Sequence, residues 1–351
     1  MKLYVTTDNI GTQSGGGTVT KNEIEALKSS DDVISISADD INPVHMNLPD
    51  TPFLQDYLAM ERIAHMDTTK IDIAHLYAGP FTNTIRLLKA KGIKTTLTCA
   101  AHNRNESIKE FENLGYDYPY NHVKDNKLWA IYNGGVREAD IVIAPSKMSA
   151  EFLKNEGCKK IEIIPHGCYI PEKVELIPNQ FNVGYLGSLG PDKGLRYLIQ
   201  SWNELNYKDS TLIFAGRDTE QLSPFINKYA TRGKFHLAGW IKNIGQLYNN
   251  ISVYVQPSVT ESFGIEVIET MSHGRPVIVS NGAGAADAVT KGIDGFIVNK
   301  RDPKAIADKI QYFKDNPKEL REMGNNARDK AKEYSWNKIR EKYVDLWRSV
   351  V

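Results

Sequence analysis

Two glutamates eight residues apart are the first feature of the sequence that could do chemistry. Glu261 follows a short apolar run, and Glu269 lies about two turns further on, in a helix expected to begin near Gly264. Carboxylates bind sugars well because they accept hydrogen bonds from paired hydroxyl groups. Backbone N–H groups at Phe263, Gly264 and Ile265 could meet an oxyanion or a sugar hydroxyl. This segment predicts a site for an oxygen-rich ligand.

A third glutamate, Glu266, lies between these two and is expected to face solvent. Glu269 differs, because the surrounding helix is otherwise apolar and continues into Met271. We therefore expect Glu269 to have a buried partner.

A glycine-rich loop with one lysine is a second candidate site. The run Gly187–Gly194 follows an apolar stretch and precedes a helical pattern, with Lys193 next to the expected helix N-terminus. Backbone N–H groups and a lysine charge suit a diphosphate, and a lysine on the surface is the alternative. The spacing is not that of a P-loop, so hydrolysis of a nucleoside triphosphate is not expected.

Three further loops carry weaker signals. Gly15, Gly16 and Gly17 precede a helical pattern, which is typical of close approach to a ligand and equally of a flexible turn. His102 follows a strand-like run, where a histidine is more often structural than catalytic. The small-residue loop Asn281–Asp287 predicts only a close backbone contact.

Short apolar runs alternate with helical patterns along almost the whole chain. In the first half these runs are Leu3–Thr6, Val33–Ile36, Ile71–Leu76, Lys94–Thr98, Ile141–Ala144 and Ile161–Ile164. In the second half they are Asn182–Leu186, Thr211–Ala215, Phe235–Ala238, Val253–Gln256, Pro276–Val279 and Gly295–Val298. The alternation predicts an α/β protein with two doubly wound, Rossmann-like domains that face each other across a cleft. Such folds bind ligands beyond the carboxyl ends of their strands, where the candidate loops lie.

The domain boundary is expected near residue 170. Pro171 and Pro178 interrupt all periodicity, which divides an N-terminal domain at 1–170 from a C-terminal domain at 171–334. The segment 335–351 has a helical pattern with no strand after it. It could cap the second domain or cross back to the first.

The charge is divided unevenly between the two halves, although the 351 residues carry no net charge. Residues 1–175 contain 19 Lys and Arg against 24 Asp and Glu, whereas residues 176–351 contain 24 against 19. A basic second half could hold an anionic ligand. An acidic first half disfavours a nucleic-acid partner, because phosphate backbones need Lys and Arg.

The composition is that of a soluble globular protein, with 41% hydrophobic and 25% charged residues. It excludes disordered, collagen-like and disulfide-stapled classes. No run approaches the roughly 18 apolar residues of a membrane-spanning helix, and the N-terminus lacks a signal-peptide pattern. We expect a cytoplasmic protein with at most peripheral membrane contact.

Together these residues resemble the retaining GT-B glycosyltransferases of the glycosyl transferase group 1 family. The most specific element is the E-x7-E spacing of Glu261 and Glu269 inside Pro-Ser-x-x-Glu-Ser-Phe-Gly. It is flanked by Met271-x-x-Gly274-x-Pro276-Val277 and Gly292-x-x-Gly295. The similarity covers nearly the whole chain and is strongest from Val183 to Val298.

The resemblance implies a role for each matched residue of the C-terminal half. Lys193 would bind the diphosphate of the donor, and Glu269 would bind its ribose. Glu261 would contact the transferred sugar, with the amides of Phe263–Ile265 around the sugar hydroxyls. In the N-terminal half, the resemblance would place Gly16 and Gly17 near the phosphate and His102 near the reacting carbon of the sugar.

One position departs from the family pattern. Ser188 stands where the family has an arginine, so one of two cations that neutralise the leaving group is missing. Arg217, in the loop after the run Thr211–Ala215, is a hypothetical substitute.

The implied activity is hexosyl transfer with retention, from a UDP-, GDP- or ADP-sugar to a hydroxyl group on a glycan, lipid-linked or small-molecule acceptor. The nucleotide-sugar is a substrate, and no cofactor is expected. No metal is expected either, because no Asp-x-Asp pair stands out. The alternatives are a nucleic-acid-directed transferase and a GT-B-shaped binding protein without turnover. A Rossmann oxidoreductase is disfavoured because the glycine fingerprint is incomplete.

Overall fold

The computed structural model of the protein describes residues 1–7, 10, 15–29, 32–41, 51–77, 79–115, 133–216 and 228–350. The strands in these ranges are β1 (Lys2–Thr6), β2 (Val33–Ile36), β3 (Ile73–Tyr77), β4 (Lys94–Thr98), β5 (Ile141–Ala144), β6 (Ile161–Ile163), β7 (Asn182–Leu186), β8 (Thr211–Ala215), β9 (Lys234–Gly239), β10 (Val253–Gln256), β11 (Val277–Ser280) and β12 (Gly295–Val298). The α-helices are α1 (Gly15–Lys28), α2 (Ala38–Ile41), α3 (Thr51–Ala64), α4 (Thr82–Ala90), α5 (Arg104–Asn113), α6 (Gly134–Glu138), α7 (Lys147–Asn155), α8 (Leu195–Leu205), α9 (Gly245–Asn250), α10 (Ile265–Ser272), α11 (Pro303–Asp315), α12 (Pro317–Ala331) and α13 (Trp336–Val350).

The first sheet contains β1–β6 in the order β2-β1-β3-β4-β5-β6, with every neighbouring pair parallel. Strands such as β5 are buried at every position, as expected when helices cover both faces of a parallel sheet. The strand order reverses between β1 and β3, which creates a crevice at their carboxyl ends. Helix α1 follows β1 directly and begins at Gly15, earlier than the expected start near Lys21. Glycine has a low helix propensity, so the pattern had assigned this turn to a loop.

The second sheet contains β7–β12 in the order β12-β11-β10-β7-β8-β9, and it is also entirely parallel. This is the Rossmann order, with its reversal between β7 and β10. The prediction of two doubly wound α/β domains is confirmed.

The chain divides into two compact units, and two of the changes of unit, at 166–167 and 335–336, lie close to the boundaries expected near residues 170 and 335. Unit 1 comprises the described residues of Met1–Ala101, Tyr118–His166 and Trp336–Val351. Unit 2 comprises those of His102–Asp117 and Gly167–Ser335. The chain therefore passes between the units at three places besides the linker: before and after the segment that holds α5, which belongs to unit 2, and before α13, which crosses back to unit 1.

Helix α13 lies in unit 1 because one face of it is apolar and aromatic. Tyr343 and Trp347 are buried, and the Trp347 indole Nε1 donates to Thr96 Oγ1 at 3.2 Å. At the helix surface the Arg340 guanidinium donates to Asn22 Oδ1 on α1 at 2.6 Å. These contacts fix α13 against α1 and the first sheet.

A buried polar cluster lies beneath α13 in the core of unit 1. Glu23, on α1, accepts hydrogen bonds from the Tyr4 hydroxyl at 2.6 Å and from the Thr98 hydroxyl at 2.8 Å. Its Oε2 lies 3.3 Å from His75 Nε2, and both side chains are fully buried. Burial by itself raises the pKa of Glu23, but the charge of His75 and these hydrogen bonds outweigh it and lower the pKa.

Candidate active site

The loops after β7 and β10 meet at the point where the strand order of the second sheet reverses. Gly194, at the end of the β7 loop, has a φ of +70°, and a Cβ there would lie 2.1 Å from the carbonyl oxygen of Pro257. Only glycine allows this approach. The Val259 N–H also donates to the Asp192 carbonyl at 2.8 Å. The two loops therefore form one backbone-linked surface at the carboxyl ends of the strands.

Lys193 and Glu261 form an ion pair on this surface. Lys193 Nζ lies 2.5 Å from Glu261 Oε2, and about a fifth of each side chain is exposed (21% and 19%). Burial by itself lowers the pKa of Lys193, but the charges of Glu261 and Asp192 outweigh it and raise the pKa. Burial likewise raises the pKa of Glu261, but Lys193 outweighs it and the pKa is lowered. Both groups are therefore charged at neutral pH.

The small-residue loop after β11 holds the backbone of Glu261 in place. The Glu261 N–H donates to the Gly282 carbonyl at 2.9 Å, and the Gly284 N–H donates to the Glu261 carbonyl at 3.0 Å. A Cβ on Gly282 would lie 2.3 Å from the Val259 carbonyl oxygen. The close backbone contact predicted for Asn281–Asp287 is confirmed, and its purpose is to brace Glu261.

Glu261 also uses one of the amides that the sequence assigned to a ligand. The Phe263 N–H donates to the Glu261 carboxylate and helps to lower its pKa. Gly264, with a φ of +96°, is the N-cap of α10, so the helix begins at Ile265. The amides at this N-terminus favour an anion or a hydroxyl oxygen.

Glu266 corrects one expectation. It was expected to face solvent, but it lies half-buried in the first turn of α10. Burial, with the nearby charge of Glu261, raises the pKa of Glu266 to about 7. The helical pattern could not show this, because the charge of Glu266 acts on Tyr185 of β7 and Tyr254 of β10, which lie outside α10.

Glu269 has the buried partner that the sequence predicted. The hydroxyl of Tyr248, on α9, donates to Glu269 Oε2 at 3.2 Å. Burial, with the charge of Glu266, raises the pKa of Glu269 to about 8. Glu269 therefore carries a proton for much of the time at neutral pH.

His102 belongs to unit 2 with Glu261. Its charge is one of the influences that lower the pKa of Glu261. The next residue, Asn103, donates its backbone N–H to Thr260 Oγ1 at 2.9 Å. The structure thus brings His102, Lys193 and Glu261 into one unit.

Not every predicted site residue joins this group. Gly16 and Gly17 lie in the first turn of α1, in unit 1. Arg217 lies outside the described residues. In the described ranges, no group of three or more His, Cys, Asp or Glu is placed to hold a metal ion. The helices of the same ranges include none with the length and apolar character to cross a membrane.

Comparisons with known proteins identify the family. Residues 170–330 match the family described as "Glycosyl transferases group 1", and residues 15–170 match "Glycosyltransferase Family 4". The chain belongs to the group 1 glycosyltransferases. The two matched regions together run from residue 15 to residue 330, so the two family models between them reach both units.

Two curated group 1 relatives illustrate the likeness. The capsular polysaccharide biosynthesis glycosyltransferase CapM of Staphylococcus aureus is 36% identical over 164 residues, 45% of this chain and 43% of CapM. The N,N'-diacetylbacillosaminyl-diphospho-undecaprenol α-1,3-N-acetylgalactosaminyltransferase of Campylobacter jejuni is 25% identical over 240 residues, 63% of this chain and 64% of that enzyme. The matches thus span less than two thirds of either relative.

Solved structures share the GT-B fold over the whole chain. Sucrose-phosphate synthase from Thermosynechococcus elongatus has a TM-score of 0.78 at 16% identity, covering 99% of this chain and 98% of that one. HepE of Anabaena, solved with UDP-glucose, has a TM-score of 0.73 at 17% identity, covering 99% and 100%. At this identity the likeness shows the fold alone.

Sequence reasoning missed several residues of this glycosyltransferase site. Tyr248 and Asp192 carry no motif, and nothing in the sequence assigned α5 to unit 2. The one available signal was the spacing of Asn103 and Glu106, since the Asn103 side chain caps α5 by accepting from the Glu106 N–H at 3.2 Å. That spacing predicts where the helix starts and not what it contacts.

Proposed function

We propose that this protein transfers a hexosyl group from a nucleotide-sugar to a hydroxyl acceptor, with retention of configuration and without a metal. The observation that carries the proposal is the Lys193–Glu261 pair, 2.5 Å apart at the strand-order reversal of a Rossmann-like unit. A lysine at that place suits a diphosphate, and a carboxylate beside it suits sugar hydroxyls. Membership of the group 1 glycosyltransferases supports both roles.

Lys193 would stabilise the leaving diphosphate. A nucleotide-sugar already carries a good leaving group, so the enzyme mainly needs to neutralise charge as the glycosidic bond breaks. The raised pKa of Lys193 keeps its ammonium charged, and the N-terminus of α10 adds backbone donors. These groups supply the positive potential in the proposed metal-independent reaction.

Glu261 and Glu269 would divide the recognition of the donor. Glu261 is ionised and would accept hydrogen bonds from hydroxyl groups of the transferred sugar. Glu269, with its pKa raised to about 8, could both donate to and accept from the two ribose hydroxyls. The amides of Gly264 and Ile265 would lie around the same sugar, whereas that of Phe263 donates to Glu261.

His102 would lie near the reacting carbon, and Gly16 and Gly17 would approach the phosphate. We assign no covalent intermediate, and the acceptor would attack from the face that the diphosphate leaves. Arg217 would add a second cation at the diphosphate in place of the family arginine.

UDP-sugars are the first donors to test, because HepE was solved with UDP and with UDP-glucose. The name of the Campylobacter jejuni relative includes a diphospho-undecaprenol-linked sugar. This favours a lipid-linked or glycan acceptor here over a nucleic acid. The excess of Asp and Glu in residues 1–175 also disfavours a polyanionic acceptor.

A binding protein without turnover is the second candidate. It is motivated by Ser188, an exposed serine at the position of the family arginine. Such a protein would bind the donor through Lys193 without releasing the sugar.

A thermal-shift panel of UDP-, GDP- and ADP-sugars, followed by an assay of donor hydrolysis, tests both candidates. A true donor raises the melting temperature by mass action, and an enzyme also releases free nucleotide. A shift without turnover would favour the binding protein. No shift with any sugar nucleotide would contradict both.

A further inference from the structure

Helix α5 is the part of unit 2 that comes from the N-terminal half of the chain. It follows β4 of the first sheet, yet it groups with the second unit. Leu114, just after the helix, packs against the hydrophobic core of unit 2. None of the residues assigned to the donor lies on this helix, so its docking requires its own explanation.

A charge clamp fixes α5 in its position. The Glu110 side chain is fully buried between two arginines, with Arg196 Nη2 at 3.0 Å from Oε2 and Arg301 Nε at 2.8 Å from Oε1. Arg301 has a φ of +63°, which non-glycine residues rarely adopt. Glu106 adds an ion pair with Lys300 at 2.5 Å. Backbone strain beside a buried ion pair indicates a position that the surrounding structure holds firmly.

One turn of α5 contacts the glycine-rich loop directly. The Ser107 hydroxyl donates to Asp192 Oδ2 at 2.8 Å, and both residues are buried. The other carboxylate oxygen, Oδ1, lies over Gly190, where a Cβ would be 2.4 Å away. The Asp192 carbonyl accepts from the Val259 N–H. Asp192 therefore connects α5 to the loops after β7 and β10.

The two contacts of α5 reach the sequence neighbours of both members of the ion pair. Asp192 precedes Lys193, and its charge raises the pKa of that lysine. Thr260 precedes Glu261, and its hydroxyl accepts the Asn103 N–H at 2.9 Å. The docking of α5 thereby constrains the separation and direction of Lys193 and Glu261.

We propose that Ser107 is a positioning residue for the donor site, which acts through Asp192 on Lys193. The inference rests on the proposed function, because it assigns Lys193 to the donor diphosphate. The Ser107 hydroxyl fixes one oxygen of the Asp192 carboxylate, one residue before the lysine, at 2.8 Å. Without it, Asp192 can turn toward Lys193 and compete with the diphosphate for the same charge.

The test is a double-mutant cycle with Ser107→Ala and Asp192→Asn, measured as initial rates at varied donor and at varied acceptor. Ser107→Ala should lower kcat/KM for the donor about tenfold, the usual effect of losing one buried hydrogen bond to a charged group. The KM for the acceptor should not change. In the Asp192→Asn background the same substitution should have little effect, because the carboxylate that Ser107 restrains is gone.

Ser201→Ala is the matched control. Ser201 is equally buried in unit 2, but its hydroxyl donates within α8 to the Leu198 carbonyl at 2.7 Å. This variant should leave kcat/KM for the donor unchanged. Should Ser107→Ala not fold, Ser107→Cys takes its place, since a thiol fills the space and is a weak donor.

Equal losses in both backgrounds, or wild-type kinetics in Ser107→Ala, would overturn the inference. The proposed function is judged separately. If wild type transfers sugar and Lys193→Ala slows it, the proposed function stands whatever Ser107 does. If wild type shows no donor turnover or binding, the proposed function itself fails.

Discussion

Two carboxylate clusters in this protein lie close to parallel sheets and have opposite characters. In unit 1, Glu23 is fully buried, and its oxygens are surrounded by Tyr4, Thr98 and His75. In unit 2, Glu261 is partly exposed beside Lys193, with two more glutamates on the next turns of chain. The first cluster is sealed by α13, and the second opens at the carboxyl ends of strands.

The contrast separates a structural cluster from the proposed donor site. The pKa of Glu23 is lowered, because its partners outweigh burial. Glu266 and Glu269 have raised pKa values, because burial and mutual repulsion outweigh their partners. Ionisable groups whose burial lowers the stability of the fold are typical of sites that bind ligands. The carboxylates of unit 2 thus include one that Lys193 compensates, Glu261, and two that their partners leave under-compensated, Glu266 and Glu269.

The largest expected effect is on stability, in unit 1. Glu23→Gln removes the charged acceptor of the buried Tyr4 and Thr98 hydroxyls, and the loss of two hydrogen bonds to a charged group should lower the free energy of unfolding by about 3–5 kcal/mol. Glu25→Gln is the matched control on the same helix, because Glu25 pairs with Arg340 at the surface, where an ion pair contributes about 0–1 kcal/mol. Urea denaturation measures both. Equal losses in the two variants would show that the Glu23 cluster is not the sealed structural element described here.

The same cluster has a defined pH dependence. Because the pKa of Glu23 is lower in the folded state than in the unfolded state, its contribution to stability is present above the unfolded value. That contribution is lost as the pH falls through the folded value. Glu23→Gln should flatten this acid limb of the stability profile, whereas Glu25→Gln should leave it unchanged.

The next largest effect is on catalysis, in unit 2. Glu261→Gln should lower the rate of transfer about 10²–10³-fold, the usual effect of removing a group that stabilises the transition state. The melting temperature should change much less than in Glu23→Gln, since the loss of the Lys193 ion pair is offset by relief of repulsion with Glu266. Steady-state kinetics and thermal unfolding measure the two quantities. If Glu261→Gln lowered the melting temperature but not the activity per folded molecule, Glu261 would be a structural residue and the comparison with Glu23 would fail.

A smaller effect concerns the pH dependence of donor binding. Glu266 is neutral below its pKa of about 7 and ionised above it, so its charge should repel the donor diphosphate increasingly as the pH rises. Affinity for a nucleotide-sugar should therefore fall from pH 6 to pH 8, and Glu266→Gln should reduce the slope below pH 7.5. Glu269, with its pKa near 8, should account for the remaining slope. If the pH profile of Glu266→Gln were identical to that of wild type, the charge of Glu266 would not act on the bound donor.

The smallest effect is a gain. Ser188→Arg restores the family arginine at an exposed position of the β7 loop. It should improve affinity for the donor about two- to fivefold, the usual range for an exposed ion pair. Calorimetry at low and high salt measures it, because an exposed pair weakens with ionic strength. A gain that persists at high salt would require a buried contact instead.

The fold and the motif residues of unit 2 could be predicted from the sequence for physical reasons. Buried parallel strands such as β10 are short continuous apolar runs, and the loops after them carry Lys193 and Glu261. Those signals are local. A buried partner of Glu269 was expected, but its identity was not. An apolar helix indicates that a carboxylate is buried, whereas only the structure shows that its partner is Tyr248.

The rest depends on contacts between distant parts of the chain. Glu266 was expected in solvent, but it lies half-buried, and its charge acts on Tyr185 of β7. Ser107 and Asp192 meet across 85 positions of sequence, and neither carries a pattern that points to the other. The start of α1 at Gly15 was missed because helix propensity disfavours glycine.

The central claim is that the Lys193–Glu261 site of unit 2 holds the diphosphate of the donor. Titration of UDP into wild type, Lys193→Ala and Lys304→Ala by calorimetry tests it most directly. Lys304 is an exposed lysine of the same unit that pairs with Glu204 and Asp308, so it controls for the loss of one positive charge. We expect UDP to bind wild type and Lys304→Ala alike and Lys193→Ala at least about tenfold more weakly. Equal affinity for all three proteins would contradict the claim.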